Sequence, residues 1–273
     1  AAGIFMAALF VHCNFRLTSW DYFAATAGLW FTVQCFRHFR TIYNSGFGIP
    51  ATLEALPDGM IKLSVHTTRL KWSPGQHVLV RVLSSGIHAF SSHPFTISSL
   101  SDEGNLELAF KVHDGITKKL ANMVSGKPSR SIRVAIDGPY AGVPSLKGYD
   151  HIYLLAGGAG ITLTLPLLKQ LTKDGATSGV EFVLALKNRE TTTWLEESLA
   201  AARQAGVHTR VHITGPSAQN DLKQLNEDEE SASDSEHDLK QPVQNILPGR
   251  PNLPSIVREA VKTHSGRIEI DGR

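Results

Sequence analysis

HIYLLAGGAGIT, residues 151–162, is the stretch on which the fold turns. His151–Ala156 reads as a short apolar strand, Gly157-Gly158-Ala159-Gly160 as a tight turn, and Ile161 onward as a helix reaching about Leu171. Glycines let the backbone bend sharply and come close to a phosphate, and a helix start offers free N–H groups with a partial positive charge. Thr162 can add a hydroxyl. The spacing is not the usual G-x-G-x-x-G, and no lysine follows as in a nucleoside-triphosphate loop. Alone, the turn reads equally well as structural, because glycine-rich strand-to-helix turns are widespread in α/β folds.

The pattern continues downstream. Val180–Leu186 and Thr209–Thr214 read as strands around a helix at Thr192–Ala205, and a helix at Leu253–Thr263 precedes a strand at Arg267–Ile270. Strands alternating with helices predict βαβ units and a parallel sheet. Between Gln219 and Gln241 the chain is polar, with Glu227-Asp228-Glu229-Glu230 followed by serines among acids. Such a segment is too hydrophilic to bury, and residues 217–245 are expected to be a disordered insertion. The last strand ends on Gly-Arg, which suggests that further strands follow.

Upstream the period is different. Thr52–Leu56 and Ile61–His66 flank Pro57-Asp58-Gly59, a strong turn signal. Val78–Leu83, Phe95–Ser99, Leu106–Val112 and Ile132–Ile136 follow, with one helix at about Thr117–Val124. Several short strands at close spacing predict a small antiparallel β-barrel. The expected division is residues 46–146 for the barrel and 147–273 for the α/β unit.

The first 45 residues differ again. Ala1–Phe15 is apolar apart from His12 and Asn14, and Trp20–Phe36 is a second apolar run ending at Arg37, His38 and Arg40. A span needs roughly 20 apolar residues. The aromatics at one end and arginines at the other fit an interfacial belt and a positive-inside flank. Residues 1–45 are therefore expected to be the last transmembrane helices, the first run being the tail of a preceding helix cut at its start, with everything after about residue 40 cytoplasmic; a pair of buried helices is the alternative. A signal peptide does not fit, since a basic leader region is lacking. The formal net charge of +2 gives no field toward nucleic acid. Cys13 and Cys35 give neither a disulfide framework nor a metal cluster and read as buried small hydrophobes.

Three further motifs carry chemistry. In His93-Pro94-Phe95-Thr96 the proline fixes the backbone and holds His93 extended, while Phe95 offers a flat ring and Thr96 a hydroxyl. From Lys111 to Leu120 a strand ends, Gly115 turns, and a helix opens with Thr117, Lys118 and Lys119, a second anion seat. Asp137-Gly138-Pro139-Tyr140 reads as a turn closing the barrel.

In this order the motifs resemble the ferredoxin–NADP reductase superfamily, in its membrane branch of ferric reductases and NADPH oxidases. Trp72-Ser73-Pro74-Gly75-Gln76-His77 is similar to that branch's W-x-P-G-Q-H segment, and His93–Thr96 to its H-P-F-T flavin motif. Gly115–Leu120 is similar to the flavin-phosphate segment of fungal ferric reductases, with Ile116 replacing a phenylalanine. Asp137–Tyr140 matches [DE]-G-P-Y, Gly157–Thr162 matches G-G-x-G-I-T, and Gly249-Arg250-Pro251 resembles a G-R-P element. A closing Cys-Gly-Pro strand is not found before Arg273.

The resemblance implies an FAD seat at His93, Pro94, Phe95, Thr96, Lys111, Gly115, Thr117 and Lys118. Phe95 would face the isoalloxazine, Thr96 would bond near N5, and His93 would point toward the ribityl phosphate. It implies an NADPH seat at Gly157, Gly158, Gly160, Ile161 and Thr162, with Lys187, Arg189 and Arg250 as cations for phosphate. No metal ligand is expected in this chain. Haem b would sit on helices outside it, His12 being read as structural. The implied activity is electron transfer from NADPH through FAD and haem to extracellular ferric or cupric chelates, in a plasma membrane, with lipid and metal chelate as partners and no nucleic acid. Two alternatives stay open: a superoxide-producing NADPH oxidase, and a non-catalytic interaction module.

Overall fold

The computed structural model describes residues 2–12, 20–86, 89, 91–215, 246–263 and 267–272. Two helices, α1 (Ala2–His12) and α2 (Trp20–Ser45), lead into an antiparallel unit. Its strands are β1 (Ile49–Leu56), β2 (Met60–His66), β3 (His77–Val82), β4 (His93–Thr96), β5 (Asn105–Lys111) and β6 (Ser129–Tyr140), with helix α3 (Ile116–Val124) between the last two. A parallel unit follows: β7 (His151–Gly157), α4 (Ile161–Lys173), β8 (Val180–Leu186), α5 (Glu196–Gln204), β9 (His208–Ile213), β10 (Ile246–Pro248), α6 (Leu253–Thr263) and β11 (Ile268–Gly272).

The first sheet has the order β4-β3-β6-β1-β2-β5. Alternation builds it: Ile61, Leu63 and Val65 of β2 and Val78, Val80 and Val82 of β3 are all buried, because successive strand residues point to opposite faces. Helix α3 adds Ile116, Leu120 and Val124 to this core. These lie four apart, on one helical face. Trp72 is buried beside them, and its indole N–H donates to the Ser99 carbonyl at 2.9 Å.

A closed barrel is not what the ladders describe. β4 and β5 stand at opposite ends of the strand order, and no ladder joins them. They meet just past β4, where the Ser98 N–H donates to the Glu107 carbonyl at 2.8 Å. The edges are thus stitched at one short stretch rather than paired along their length.

The second sheet, order β10-β9-β8-β7-β11, is parallel throughout. One face carries Ile152, Leu154, Phe182 and Leu184 against Leu165 and Leu168 of α4 and Leu199 of α5. The other carries Tyr153 and Val183 against Ile256 and Ala260 of α6.

Three expectations are corrected. Among the described residues no helix is long and apolar enough to cross a membrane. α1 has 11 residues, and α2 mixes its apolar side chains with Asp21, Gln34, Arg37, His38 and Arg40. α2 continues to Ser45, past the end of the apolar run, because its last turns dock on β6. The Asn44 side-chain amide donates to the Gly138 carbonyl at 3.0 Å, and the Ile136 N–H donates to the Ser45 hydroxyl at 2.7 Å. Cys35 is exposed rather than buried, lying off that docked face. Finally, Asp137–Tyr140 is the end of β6 and not a separate turn. Cys13 and the acidic insertion lie outside the described residues.

Candidate functional site

β4 is an edge strand paired only with β3, which suits a proline because the missing N–H need serve no second neighbour. His77 stands opposite Thr96, Val78 opposite Phe95, Leu79 opposite Pro94 and Val80 opposite His93. The motif therefore splits between two faces. Phe95 packs onto the core, its ring centroid 4.5 Å from that of Phe110 on β5. Exposed Pro94 and half-exposed Thr96 lie on the outer face. His93 Nε2 is 3.0 Å from the Ser91 hydroxyl.

Beside Thr96 on the outer face stand two side chains that motif reading did not assign to the site. His77 stacks on Tyr140 with ring centroids 5.8 Å apart. Each ends a motif already quoted, His77 the W-x-P-G-Q-H segment and Tyr140 the Asp-Gly-Pro-Tyr segment. The signal was therefore present; what was missing was the cross-strand register that puts them next to Thr96. The Tyr140 hydroxyl donates to buried Asp137 at 2.7 Å. Burial raises the phenol's pKa, and the neighbouring carboxylate raises it further.

At the start of α3, Gly115 has φ 77° and no side chain caps the helix. Its first N–H groups are thus left to an outside acceptor. Thr117 is turned inward: its hydroxyl accepts from the His113 N–H at 2.8 Å and donates to the His113 carbonyl at 2.9 Å. Lys118 is exposed, 3.5 Å from Asp114. Lys119 donates to the Ser85 carbonyl at 2.8 Å, tying α3 to the loop after β3. Lys111 Nζ lies 3.4 Å from Asp58.

The glycine turn of the second sheet is equally open. Gly158 has φ 52°, and a Cβ added at Gly157 or Gly158 would meet nothing within 4 Å. α4 starts without a side-chain cap, and fully buried Ile161 anchors it. The Thr162 hydroxyl donates back to the Ala159 carbonyl at 3.0 Å, so it shapes the turn and keeps its lone pairs. The Gly158–Gly160 turn packs beside β5, the strand that carries Phe110. Lys187 and Arg189 follow β8, and exposed Arg250 follows β10. All three cations thus lie at the carboxyl ends of parallel strands, where open α/β sheets bind ligands.

Two uncapped helix starts, a glycine turn with open space above it and cations at one sheet edge suit a ligand carrying several phosphates. Those residues fit a flavin dinucleotide on the first sheet and a pyridine dinucleotide on the second.

Comparison with known proteins agrees. Residues 47–145 match the FAD-binding domain model, and residues 149–270 match the ferric reductase NAD binding domain model. The probable cell surface ferric reductase kap2 of Aspergillus oryzae is 32% identical over 250 residues, covering 81% of this chain and 33% of that protein. Ferric reductase transmembrane component 4 of Saccharomyces cerevisiae is 30% identical over 227 residues, covering 78% and 30%. The chain thus spans about a third of the length of the curated relatives it matches. Among solved structures, the flavohem-like FAD/NAD binding domain of a Vibrio cholerae nitric oxide dioxygenase aligns with TM-score 0.52 and 14% identity, over 83% of this chain and 99% of that one. A ferredoxin NADP+ reductase from Neisseria gonorrhoeae with bound FAD and NADP aligns at 0.50 and 14%, over 82% and 98%. These last two bear on fold alone.

Proposed function

We propose that this chain, which over its two matched domains belongs to the ferric reductases, is the electron-input half of a membrane metalloreductase driven by NADPH. The observation that carries the reading is the meeting at β5: the ring of Phe95 packs on Phe110 of that strand, and the Gly158–Gly160 turn packs beside the same strand. A flavin on β4 and a nicotinamide over the turn would then be neighbours.

When bound, FAD accepts a hydride from NADPH and can release the two electrons one at a time. The chain's own residues do the positioning. Thr96 and Pro94 offer a rigid edge for a ring, and Phe95 is fixed by Phe110 so that β4 keeps its shape. The α3 start with Lys118 takes phosphate charge, and the Gly157–Gly160 backbone lets a dinucleotide approach closely. Lys187, Arg189 and Arg250 supply charge for its phosphates, the first two for a 2′-phosphate. We divide the chain into residues 1–45, a flavin unit at 46–146 and a dinucleotide unit at 147–273.

The exposed apolar side chains of α2, among them Leu29, Phe31, Phe36 and Phe39, support a place against lipid; the basic flank Arg37, His38 and Arg40 would put both sheets on the cytoplasmic side. Haem in the remainder of the protein would carry electrons onward to a ferric or cupric chelate outside the cell.

The test uses the complete protein in its host cell. Surface reduction of a ferric chelate is measured with and without superoxide dismutase, and the purified protein is examined for a flavin absorption band. Dismutase-insensitive reduction with bound flavin is expected. Reduction abolished by the dismutase would make the protein an oxidase, and a folded, colourless protein would make it a non-catalytic module.

A further inference from the structure

Asp58 stands in the Pro57–Gly59 turn between β1 and β2 with φ 58° and ψ 30°. Left-handed backbone is uncommon for residues with a Cβ and is best tolerated by asparagine and aspartate. The side chain is only 15% exposed, and its two oxygens face in different directions. One lies 3.4 Å from Lys111 Nζ at the end of β5. The other accepts from the Asn188 side-chain amide at 3.4 Å. Lys111 belongs to the proposed flavin seat, while Asn188 sits between Lys187 and Arg189 of the proposed dinucleotide seat. One carboxylate therefore touches both.

The segment around Asn188 is also gripped from its own sheet. The Thr214 N–H and hydroxyl donate to the Leu186 carbonyl at 2.8 and 3.0 Å, and the Gly215 N–H donates to the Lys187 carbonyl at 2.9 Å. A Cβ at Gly215 would lie 2.3 Å from that carbonyl oxygen, so the approach requires glycine. Backbone bonds thus fix where the segment leaves β8, and Asp58 holds its side-chain side from across the domain boundary.

We infer that Asp58 is a positioning residue for cofactor choice: it orients the Lys187–Arg189 segment toward a 2′-phosphate and ties that segment to the flavin-bearing sheet. The inference rests on the reading of Lys187 and Arg189 as 2′-phosphate cations. Asp58 itself repels a phosphate, so it acts only through Asn188.

The test compares two variants of the complete, FAD-loaded protein by titration with adenosine 2′,5′-diphosphate and with AMP. Asp58→Gly suits the left-handed backbone but removes the carboxylate. Asp58→Asn keeps both the backbone preference and an oxygen that can accept from Asn188. Asp58→Gly is expected to lower the preference for the 2′-phosphorylated probe roughly tenfold, the scale on which residues that orient a ligand-contacting neighbour act. AMP affinity should stay put, and Asp58→Asn should keep the preference. Parental preference in Asp58→Gly overturns the inference, as does equal loss for both probes in both variants. If the preference survives Asp58→Gly yet vanishes in Lys187→Ala/Arg189→Ala, the inference alone fails. A parent protein with no preference removes the cation assignment itself, and the inference falls with it.

Discussion

Arg40 grips Asp137 from helix α2, its Nη2 2.7 Å and its Nε 3.0 Å from the same carboxylate oxygen. Arg37 approaches the other oxygen at 3.4 Å, and the Arg40 guanidinium also lies over the Tyr140 ring, 4.5 Å from its centroid. Asp137 is 4% exposed, so the pair is shielded on the acid's side and open on the arginines' side. Removing one member of a shielded ion pair leaves the other charge uncompensated.

Asp137→Asn should accordingly destabilise the antiparallel unit by about 1–2 kcal/mol, since both arginines lose their counter-charge at once but keep part of their contact with solvent. Chemical denaturation followed by tryptophan fluorescence measures it. Asp137→Leu combined with Arg40→Leu should recover part of the loss, because an apolar pair carries no desolvated charge. A single substitution within about 0.5 kcal/mol of the parent would show that the clamp is not structural.

Tyr140 gives a pH signature at the alkaline end. Burial and then the Asp137 carboxylate raise its pKa above the ordinary 10.0. Between those values the folded state holds a proton that the unfolded state has released, so stability from this group is present below pH 10 and falls as the pH climbs through the raised value. Absorbance titration of tyrosinate should show a late-titrating phase that is reduced but not abolished in Tyr140→Phe, because burial also raises the pKa of Tyr153. Identical titration curves for the two proteins would contradict the assignment.

Acid should act through His212. Burial lowers its pKa below the ordinary 6.5, against an opposing contribution from the Gly249 backbone. As the pH drops under 6.5 the unfolded chain takes up this proton first, so stability is full above that value and declines toward the folded one. Thermal midpoints between pH 7 and pH 5 should fall less steeply for His212→Gln than for the parent. Parallel curves would remove His212 as a contributor.

Lys187 and Arg189 bear on specificity. Charge-assisted hydrogen bonds to phosphate contribute about 1.5–3 kcal/mol each, so Lys187→Ala/Arg189→Ala should raise KM for NADPH by roughly tenfold or more. KM for NADH should change far less. Equal increases for both cofactors would mean that these side chains do not read the 2′-phosphate.

Local patterning carried most of the elements. The alternation Ile61, Leu63, Val65 and the run His151–Ala156 follow from period and composition, and both are strands. What the sequence hid was nonlocal. The apolar run of α2 ends at Phe36, but the helix continues because Arg37, Arg40, Asn44 and Ser45 find partners on β6, more than 90 positions away. Pro57-Asp58-Gly59 was legible as a turn, whereas the bond of Asp58 to Asn188 spans 130 positions. β10 is a three-residue strand defined only by its pairing with β9, so no periodicity announces it. Barrel closure likewise depends on how two edge strands approach, which strand spacing does not encode.

The grip on β6 falls on the last three turns of a 26-residue helix. At about 1.5 Å per residue, the stretch from Trp20 to Phe36 projects roughly 25 Å beyond that grip as a stiff arm. Rocking the arm by about 5° would sweep its far tip through some 2 Å, yet near the fulcrum the strands would shift by only a fraction of that. Whatever anchors the Trp20 end therefore sets the angle at which the flavin-bearing sheet is held, with mechanical advantage on the side of the anchor.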